Sequence, residues 1–196
     1  MNTLVKQTWA GLRVLLVMTV LLGILYPLAV WAIAHVPGLA ANAEGSVVTR
    51  DGQAVGSSLI GVDPVPADPA HDPWFHTRPS AAGPGVPSGA SNKGPDNEDL
   101  VKTIAERKDA IAKREGVPPG QVPPDAVTAS GSGLDPAISV AYADLQAQRV
   151  ARNTGLPLDR VKQLIEANTS GAGIGVPGVT VLPLNLAVRA AAGGAH

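Results

Sequence analysis

The sequence predicts an α+β protein: a single N-terminal transmembrane helix followed by one soluble domain of mixed helix and strand. Three observations carry that reading. Val14 to Ala34 is an uncharged run, Asp96 to Glu115 and Ile138 to Ile165 carry apolar residues at helical spacing, and short β-branched segments at 46–49, 53–55 and 179–182 lie near Gly, Asp and Pro. The expected organisation is 1–13 as a cytoplasmic N-terminus, 14–34 as the spanning helix and 35–196 as a soluble extracytoplasmic domain.

A helix over Val14 to Ala34 rises about 1.5 Å per residue and so is about 31 Å long, close to the ~30 Å hydrocarbon core of a bilayer. Trp9 and Trp31 flank the run, at the level where amphipathic rings prefer the headgroups. Lys6 and Arg13 precede it, whereas Arg50 is the one basic residue shortly after it, which puts the N-terminus in the cytoplasm. Pro27 removes a backbone donor inside the run and predicts a kink. Thr19 and Gly23 form a small-xxx-small pair where a second helix can approach closely. The rival for this segment is a cleaved signal peptide of an exported binding protein, because Ala41-Asn42-Ala43 is a small-x-small site. A secretory apolar core runs only about 7–15 residues, which is shorter than this one.

The remainder of the 196 residues is long enough for one packed domain. There is no Cys, so disulfides, thiolate metal sites and cysteine nucleophiles are excluded. A net charge of -1 without a basic run, and 3% aromatic residues, argue against nucleic acid as a partner.

Beyond the anchor, 46–49 and 53–55 flank Arg50-Asp51-Gly52 and predict a hairpin close to the membrane. Val62 to Pro95 is dense in Pro, Gly, Ser and Asp and reads as a long loop. In Asp96 to Glu115, Leu100, Ile104 and Ile111 share a face. Glu98 precedes Lys102 and Asp109 precedes Lys113 by four residues, Lys113 and Arg114 suit the C-terminal dipole, and Gly116 stops the helix. After a proline-rich link, Val117 to Pro124, Asp135 and Pro136 read as the N-cap and first residue of a helix that ends at Gly155. Leu158, Val161, Leu164 and Ile165 continue in a shorter helix, and Gly155-Leu156-Pro157 makes the pair a hairpin or corner. Val179 to Leu182 reads as a strand and Asn185 to Ala191 as a tail.

The best chemical candidate is the loop Thr128-Ala129-Ser130-Gly131-Ser132-Gly133, since amides at a glycine-rich helix start can hold an anion. A tight structural loop uses the same residues. A membrane-tethered serine hydrolase acting through Ser130 or Ser132 is a further alternative, although His35, His71, His76 and His196 lie in no motif that supplies its base. Gly173 to Gly178 matches G-x-G-x-x-G but follows a helix and leads into a strand, which is the wrong context for a dinucleotide. No G-x-x-x-x-G-K-[ST] occurs. His71 and His76 read as surface or core histidines rather than metal ligands, and Asn168-Thr169-Ser170 as a polar helix end.

In order along the chain, the N-terminal helix, Gly56 to Gly61, Phe75 to Ala81, Ser88 to Asn97, Thr128 to Pro136, Gln146 to Ala151 and Val179 to Ala187 resemble the small C subunit (KdpC) of Kdp-type bacterial potassium-transporting ATPases. The resemblance spans nearly the whole chain. It departs at Ala90, around Pro118 to Pro124 and at the Gly-Gly-Ala-His end. It implies an accessory inner-membrane subunit beside a channel-like potassium-translocating subunit, a P-type ATPase catalytic subunit and a small membrane subunit. The chain lacks the Asp-Lys-Thr-Gly phosphorylation sequence of P-type ATPases, so catalysis is expected in a partner and no cofactor of its own is expected. The resemblance also implies help with ATP binding by the catalytic subunit, for which Ser130, Gly131, Ser132, Gly133, Gln146 and Arg149 are the residues to test. ATP would then be shared with that subunit. Nucleotide, however, belongs to the cytoplasmic side and the charge bias puts the domain outside. Topology is the weightier argument, and it favours a domain that braces the outer face of the channel-like subunit.

Overall fold

The computed structural model describes residues 3–82, 89–171 and 175–193, and the chain divides into two compact units, Met1–Val47 and Val48–His196. The first unit is built on one long helix. α1 (Thr3–Val20) runs through a π-helical turn (Leu21–Leu25) into α2 (Tyr26–Ala34), making 32 residues of which none is buried within the chain. Just before Pro27, where the sequence predicts a kink, the helix takes that π-helical turn. The Tyr26 N–H donates to the Leu21 carbonyl five residues back, and the extra residue makes room for the pyrrolidine ring, so the helix passes Pro27 without ending. Thr19 and Gly23 share one stripe, the Thr19 methyl lying 3.8 Å from where a Cβ on Gly23 would sit. A four-residue helix α3 (Ala40–Ala43) follows.

The second unit opens with the expected hairpin, β1 (Val47–Arg50) and β2 (Gln53–Ser57). Asp51 and Gly52 both adopt positive φ, 52° and 77°, the primed turn that matches strand twist. Helix α4 (Glu98–Glu115) is capped by Asn97, whose side chain accepts from the Leu100 N–H, and ends at Gly116 in the left-handed conformation. Its outward charges keep the expected four-residue spacing but with another partner: Lys102 lies 3.9 Å from Glu106, which follows it, rather than pairing with Glu98, which precedes it. α5 (Pro124–Val127) follows.

The next helix begins later than predicted. Residues 137–139 form strand β3 (Ala137–Ser139), and α6 (Val140–Thr154) starts after it. Ile138 pairs with Val179 and both are buried, so ladder and core burial together outweigh the local Asp-Pro start signal. Ser139 caps α6 in place of Asp135: its Oγ accepts from the Tyr142 N–H at 3.0 Å and donates to Asp125 at 2.8 Å. α7 (Leu158–Ala167) packs back on α6 as the predicted helical hairpin. Asn168 is the polar end of α7, its side-chain amide donating to the Leu164 carbonyl.

Short strands β4 (Thr169–Ser170) and β5 (Gly178–Thr180) complete an antiparallel sheet of order β3-β5-β4. Part of the G-x-G-x-x-G stretch, 172–174, lies outside the described residues, and its end enters β5. The predicted strand at 179–182 stops at Thr180, and the expected tail is helix α8 (Val181–Ala191). Pro183 sits in its first turn, where the N–H groups lack intrahelical partners, so the ring costs no ladder bond. Val181, Leu184 and Val188 of α8 join Val161, Leu164 and Ile165 of α7 and Tyr142, Ala143, Ala147 and Val150 of α6 in one core.

Candidate functional site

The long loop at 62–95 is where the fold departs most from its sequence pattern. Outside one short 3-10 turn at Pro69–His71 it has no regular structure among the described residues, yet Asp72, Phe75, His76 and Thr77 are buried. Buried backbone groups need partners, and here side-chain amides supply them. The Phe75 N–H donates to Asn185 Oδ1 at 2.8 Å, and Asn185 Nδ2 donates back to the Phe75 carbonyl at 2.9 Å. Gln146 does the same for His76, accepting from its N–H at 2.8 Å and donating to its carbonyl at 3.3 Å. The two amides stand in for neighbouring strands.

Arg149 extends this clamp into a buried ionic network. Its Nε lies 3.0 and 3.1 Å from the two oxygens of Glu115, Nη1 donates to the Asp72 carbonyl at 2.8 Å and pairs with its carboxylate at 3.0 Å, and Nη2 donates to Gln146 at 3.1 Å. Asn153 holds the same Asp72 carbonyl at 2.9 Å. Arg114 donates to Glu115 at 2.7 Å and to the Tyr142 hydroxyl at 3.0 Å. His76 bridges Asp72 at 2.6 Å and Asp63 at 3.1 Å.

Four of these groups, His76, Asp72, Arg114 and Tyr142, are shifted from their usual values, and the first two bear on stability near neutral and acid pH. Burial pulls the His76 ring down, but its bonds to Asp63 and Asp72 outweigh burial and hold its pKa above the ordinary 6.5. Burial pushes Asp72 up, but the bonds from His76 and the Trp74 N–H and the charge of Arg149 outweigh that and hold it below 3.8. Folded His76 thus binds its proton more tightly than the unfolded chain does. Its contribution to stability is complete below pH 6.5 and is lost as pH rises through the raised pKa, while that of Asp72 is complete above pH 3.8 and lost as pH falls through the lowered one. Urea midpoints are expected to fall between pH about 5.5 and about 8.5 in the parent, and to fall less in His76→Gln. Equal pH dependence in the two chains would exclude the His76 contribution.

The Ser-Gly loop belongs to a second cluster. Arg78 pairs with Asp135 at 2.9 Å and donates to the Thr128 and Ala129 carbonyls, while Arg107 donates to the Val127 carbonyl at 3.1 Å and the Ser80 carbonyl at 3.3 Å. Ser130 Oγ accepts from the Gly133 N–H at 2.8 Å and Ser132 Oγ from the Leu134 N–H at 3.0 Å. The hydroxyls close turns. The loop enters β3 rather than a helix, so the expected array of free helix amides does not form there. Among the described histidines, His35 bonds to Glu44, His71 to Asp68 and His76 to Asp63 and Asp72, with none bonded to Ser130 or Ser132, and His196 lies outside the described residues.

Between the two clusters lies a cleft of about 730 Å³, lined by His76, Arg78, Arg107, Arg114, Tyr142 and Gly133 among others. Of the six residues marked from the sequence, Gly133 lines it. Gln146 and Arg149 lie together in the core network, and Ser130, Gly131 and Ser132 lie in the turn behind Gly133. The sequence reading missed Asp72, Glu115 and Asn185. Glu115 carried a signal, as an acid after Lys113 and Arg114 in the last turn of a helix, where the dipole disfavours it unless a cation faces it.

Among the described residues one helix is long and apolar enough to cross a membrane, and with the small α+β domain after it the chain fits the class of proteins anchored by a single N-terminal helix. The family described as "K+-transporting ATPase, c chain" matches residues 8–190. Potassium-transporting ATPase KdpC subunits of Kineococcus radiotolerans, Streptomyces avermitilis and Mycobacterium tuberculosis are 48%, 43% and 45% identical to this chain, covering 98%, 96% and 93% of it and 97% of each of those proteins. The chain belongs to the KdpC family of potassium-transporting ATPase subunits.

Proposed function

We propose that the chain is a non-catalytic accessory subunit of a high-affinity ATP-driven potassium uptake complex. In it, the chain assembles and stabilises the channel-like potassium-translocating subunit, the P-type ATPase catalytic subunit and the small membrane subunit. The observation that carries this reading is the exposed apolar helix Thr3–Ala34 in a chain of this family that has no Asp-Lys-Thr-Gly sequence. The helix anchors the chain in the inner membrane with Lys6 and Arg13 on the cytoplasmic side, and the tether raises the domain's effective concentration at its partners.

The domain acts outside as a brace. Gln146, Arg149 and Asn185 stiffen the 72–78 segment, and a stiff surface loses little entropy on docking. Promotion of ATP binding by the catalytic subunit is then exerted through the assembled complex, with Ser130 to Gly133, Gln146 and Arg149 maintaining the shape of the domain.

Full-length chain used as bait from detergent-solubilised membranes is expected to retrieve the other subunits. Gly23→Leu places a bulky side chain on the Thr19 stripe and is expected to insert normally while retrieving them in several-fold lower yield. Equal recovery at matched expression would move the association entirely to the domain. Failure of the parent chain to retrieve any subunit would overturn the proposal.

A further inference from the structure

The domain has a second cleft, of about 300 Å³, whose walls come from the β1–β2 hairpin, the segment around Ile60 to Pro64 and helix α8. Its lining is mainly apolar, with three polar exceptions: Asn185, whose amide is bonded to the Phe75 backbone, Arg50 from the end of β1 and Arg189 from the last turn of α8. Each arginine carries a buried nitrogen, Nη1 of Arg50 and Nε of Arg189, with no hydrogen-bond partner among the described residues. Arg50 reaches the exposed Asp51 only through Nε, at 3.6 Å. Arg149, the most buried arginine of the network, has Nε, Nη1 and Nη2 all bonded, so the two orphaned donors are exceptions in this domain. A buried charged donor without a partner is costly to maintain and demands an explanation.

The rim of the cleft is apolar and open. Val55, Ile60 and Val62 are 41%, 45% and 74% exposed. Exposed apolar side chains around two half-buried arginines, each with one unsatisfied nitrogen, describe a receptor for an anionic group carried on an apolar support.

We propose that this cleft receives an acidic side chain on an apolar segment of a neighbouring subunit of the transport complex. The guanidinium groups of Arg50 and Arg189, which line the cleft, turn toward the carboxylate and so give their orphaned N–H groups an acceptor, and its apolar neighbours cover Val55, Ile60 and Val62. One carboxylate has two oxygens with about four lone-pair sites, enough for both arginines. The volume suits an acidic side chain with one apolar neighbour and is too small for the paired acyl chains of a phospholipid, which favours a protein partner. The inference rests on the accessory-subunit reading and adds to it the surface and the chemistry of the contact.

The test uses the full-length chain in its complex, purified through a tag on this chain. Arg50→Gln, Arg189→Gln and the double reversal Arg50→Glu with Arg189→Glu are compared with the parent, with thermal unfolding followed by circular dichroism. The Gln variants remove orphaned donors and are expected to unfold at the parental temperature or above, while partner recovery falls several-fold. The double reversal is expected to lose at least about ten-fold, because like charges then face each other across the contact. A positive readout comes from Arg189→Lys treated with a water-soluble carbodiimide, which condenses an amine with a carboxylate. The peptide holding residue 189 is expected to be joined to an Asp or Glu of a partner subunit.

Full partner recovery by the folded double reversal overturns the proposal, as does a co-purified Arg189→Lys complex without a cross-link at residue 189. Full recovery combined with lost binding to phosphatidylglycerol vesicles assigns the cleft to a lipid headgroup and also overturns it. A parent chain that recovers no subunit overturns the accessory-subunit reading and this inference together, so the two failures are distinguishable.

Discussion

Replacing Arg149 by alanine is expected to destabilise the domain by about 3–5 kcal/mol, the usual cost of removing one partner from a buried ion pair. The guanidinium serves Glu115 through Nε and Asp72 through Nη1, so its loss strands two carboxylates that are nearly inaccessible to water. Neither is left wholly alone. Glu115 keeps Arg114, and Asp72 keeps His76, while Asn153 still holds the Asp72 carbonyl. These remaining bonds keep the expected loss within that range, yet it is still a large share of the about 5–15 kcal/mol that holds a typical domain together. Arg149→Lys should fall between parent and alanine, because an ammonium cannot reproduce the three-sided fork. Urea unfolding of the full-length chain in detergent, followed through Trp74, reads the difference. A loss under about 1 kcal/mol would show that the network contributes little net stability.

The same substitution bears on the proposed nucleotide role. A residue whose task is to touch ATP in a partner can be removed with the fold intact; Arg149, bonded on three nitrogens inside its own domain, cannot. Loss of ATP-dependent transport in Arg149→Ala would therefore report on folding first. Gln146 carries the same ambiguity, since both ends of its amide hold the His76 backbone.

The elements legible in the sequence are those whose determinants lie close together along the chain. The Asp51-Gly52 turn, the Asn97 cap and Gly116 stop of α4, and the α6–α7 corner at Gly155 are all decided within a few residues. What escaped depends on residues distant in sequence. Asp135-Pro136 is a sound local helix start, but Ile138 pairs with Val179 and the Pro136 carbonyl accepts the Val181 N–H at 2.9 Å, so the segment is drawn into the sheet. Pro183 has one reading after a strand and another in the first turn of a helix, and only the position of α8 against α7 decides between them. The core network was half legible. Gln146, Arg149 and His76 fall in blocks of the family pattern, whereas Asp72 and Glu115 do not, and Asp72 and His76 lie in a stretch without periodicity that looks like solvent-exposed loop.

Gly61→Ala is expected to disturb the Ser-Gly loop more than any change within that loop, at a cost near the upper end of the about 1–3 kcal/mol typical of overpacking. The Gly61 N–H donates to the Leu134 carbonyl at 2.8 Å, and a Cβ at position 61 would overlap the backbone oxygen of Asp135. Backbone cannot swing aside as a side-chain tip can. Relief requires residues 134–136 to move, which loosens both the Arg78–Asp135 pair and the start of β3. Gly133→Ala is expected to follow close behind, since that residue has φ of +71° and a Cβ there would lie 2.7 Å from the Gly89 carbonyl oxygen. Gly131 supplies the contrast, because a Cβ there meets nothing within 4 Å and Gly131→Ala should change stability by no more than about 0.5 kcal/mol. Stability of the three variants, measured beside the ATP dependence of transport by the reconstituted complex, separates two roles for the loop. A brace predicts that ATP dependence changes in Gly61→Ala and Gly133→Ala in step with stability and stays parental in Gly131→Ala. A raised ATP requirement in stable Gly131→Ala would instead assign the exposed turn a direct part in nucleotide binding.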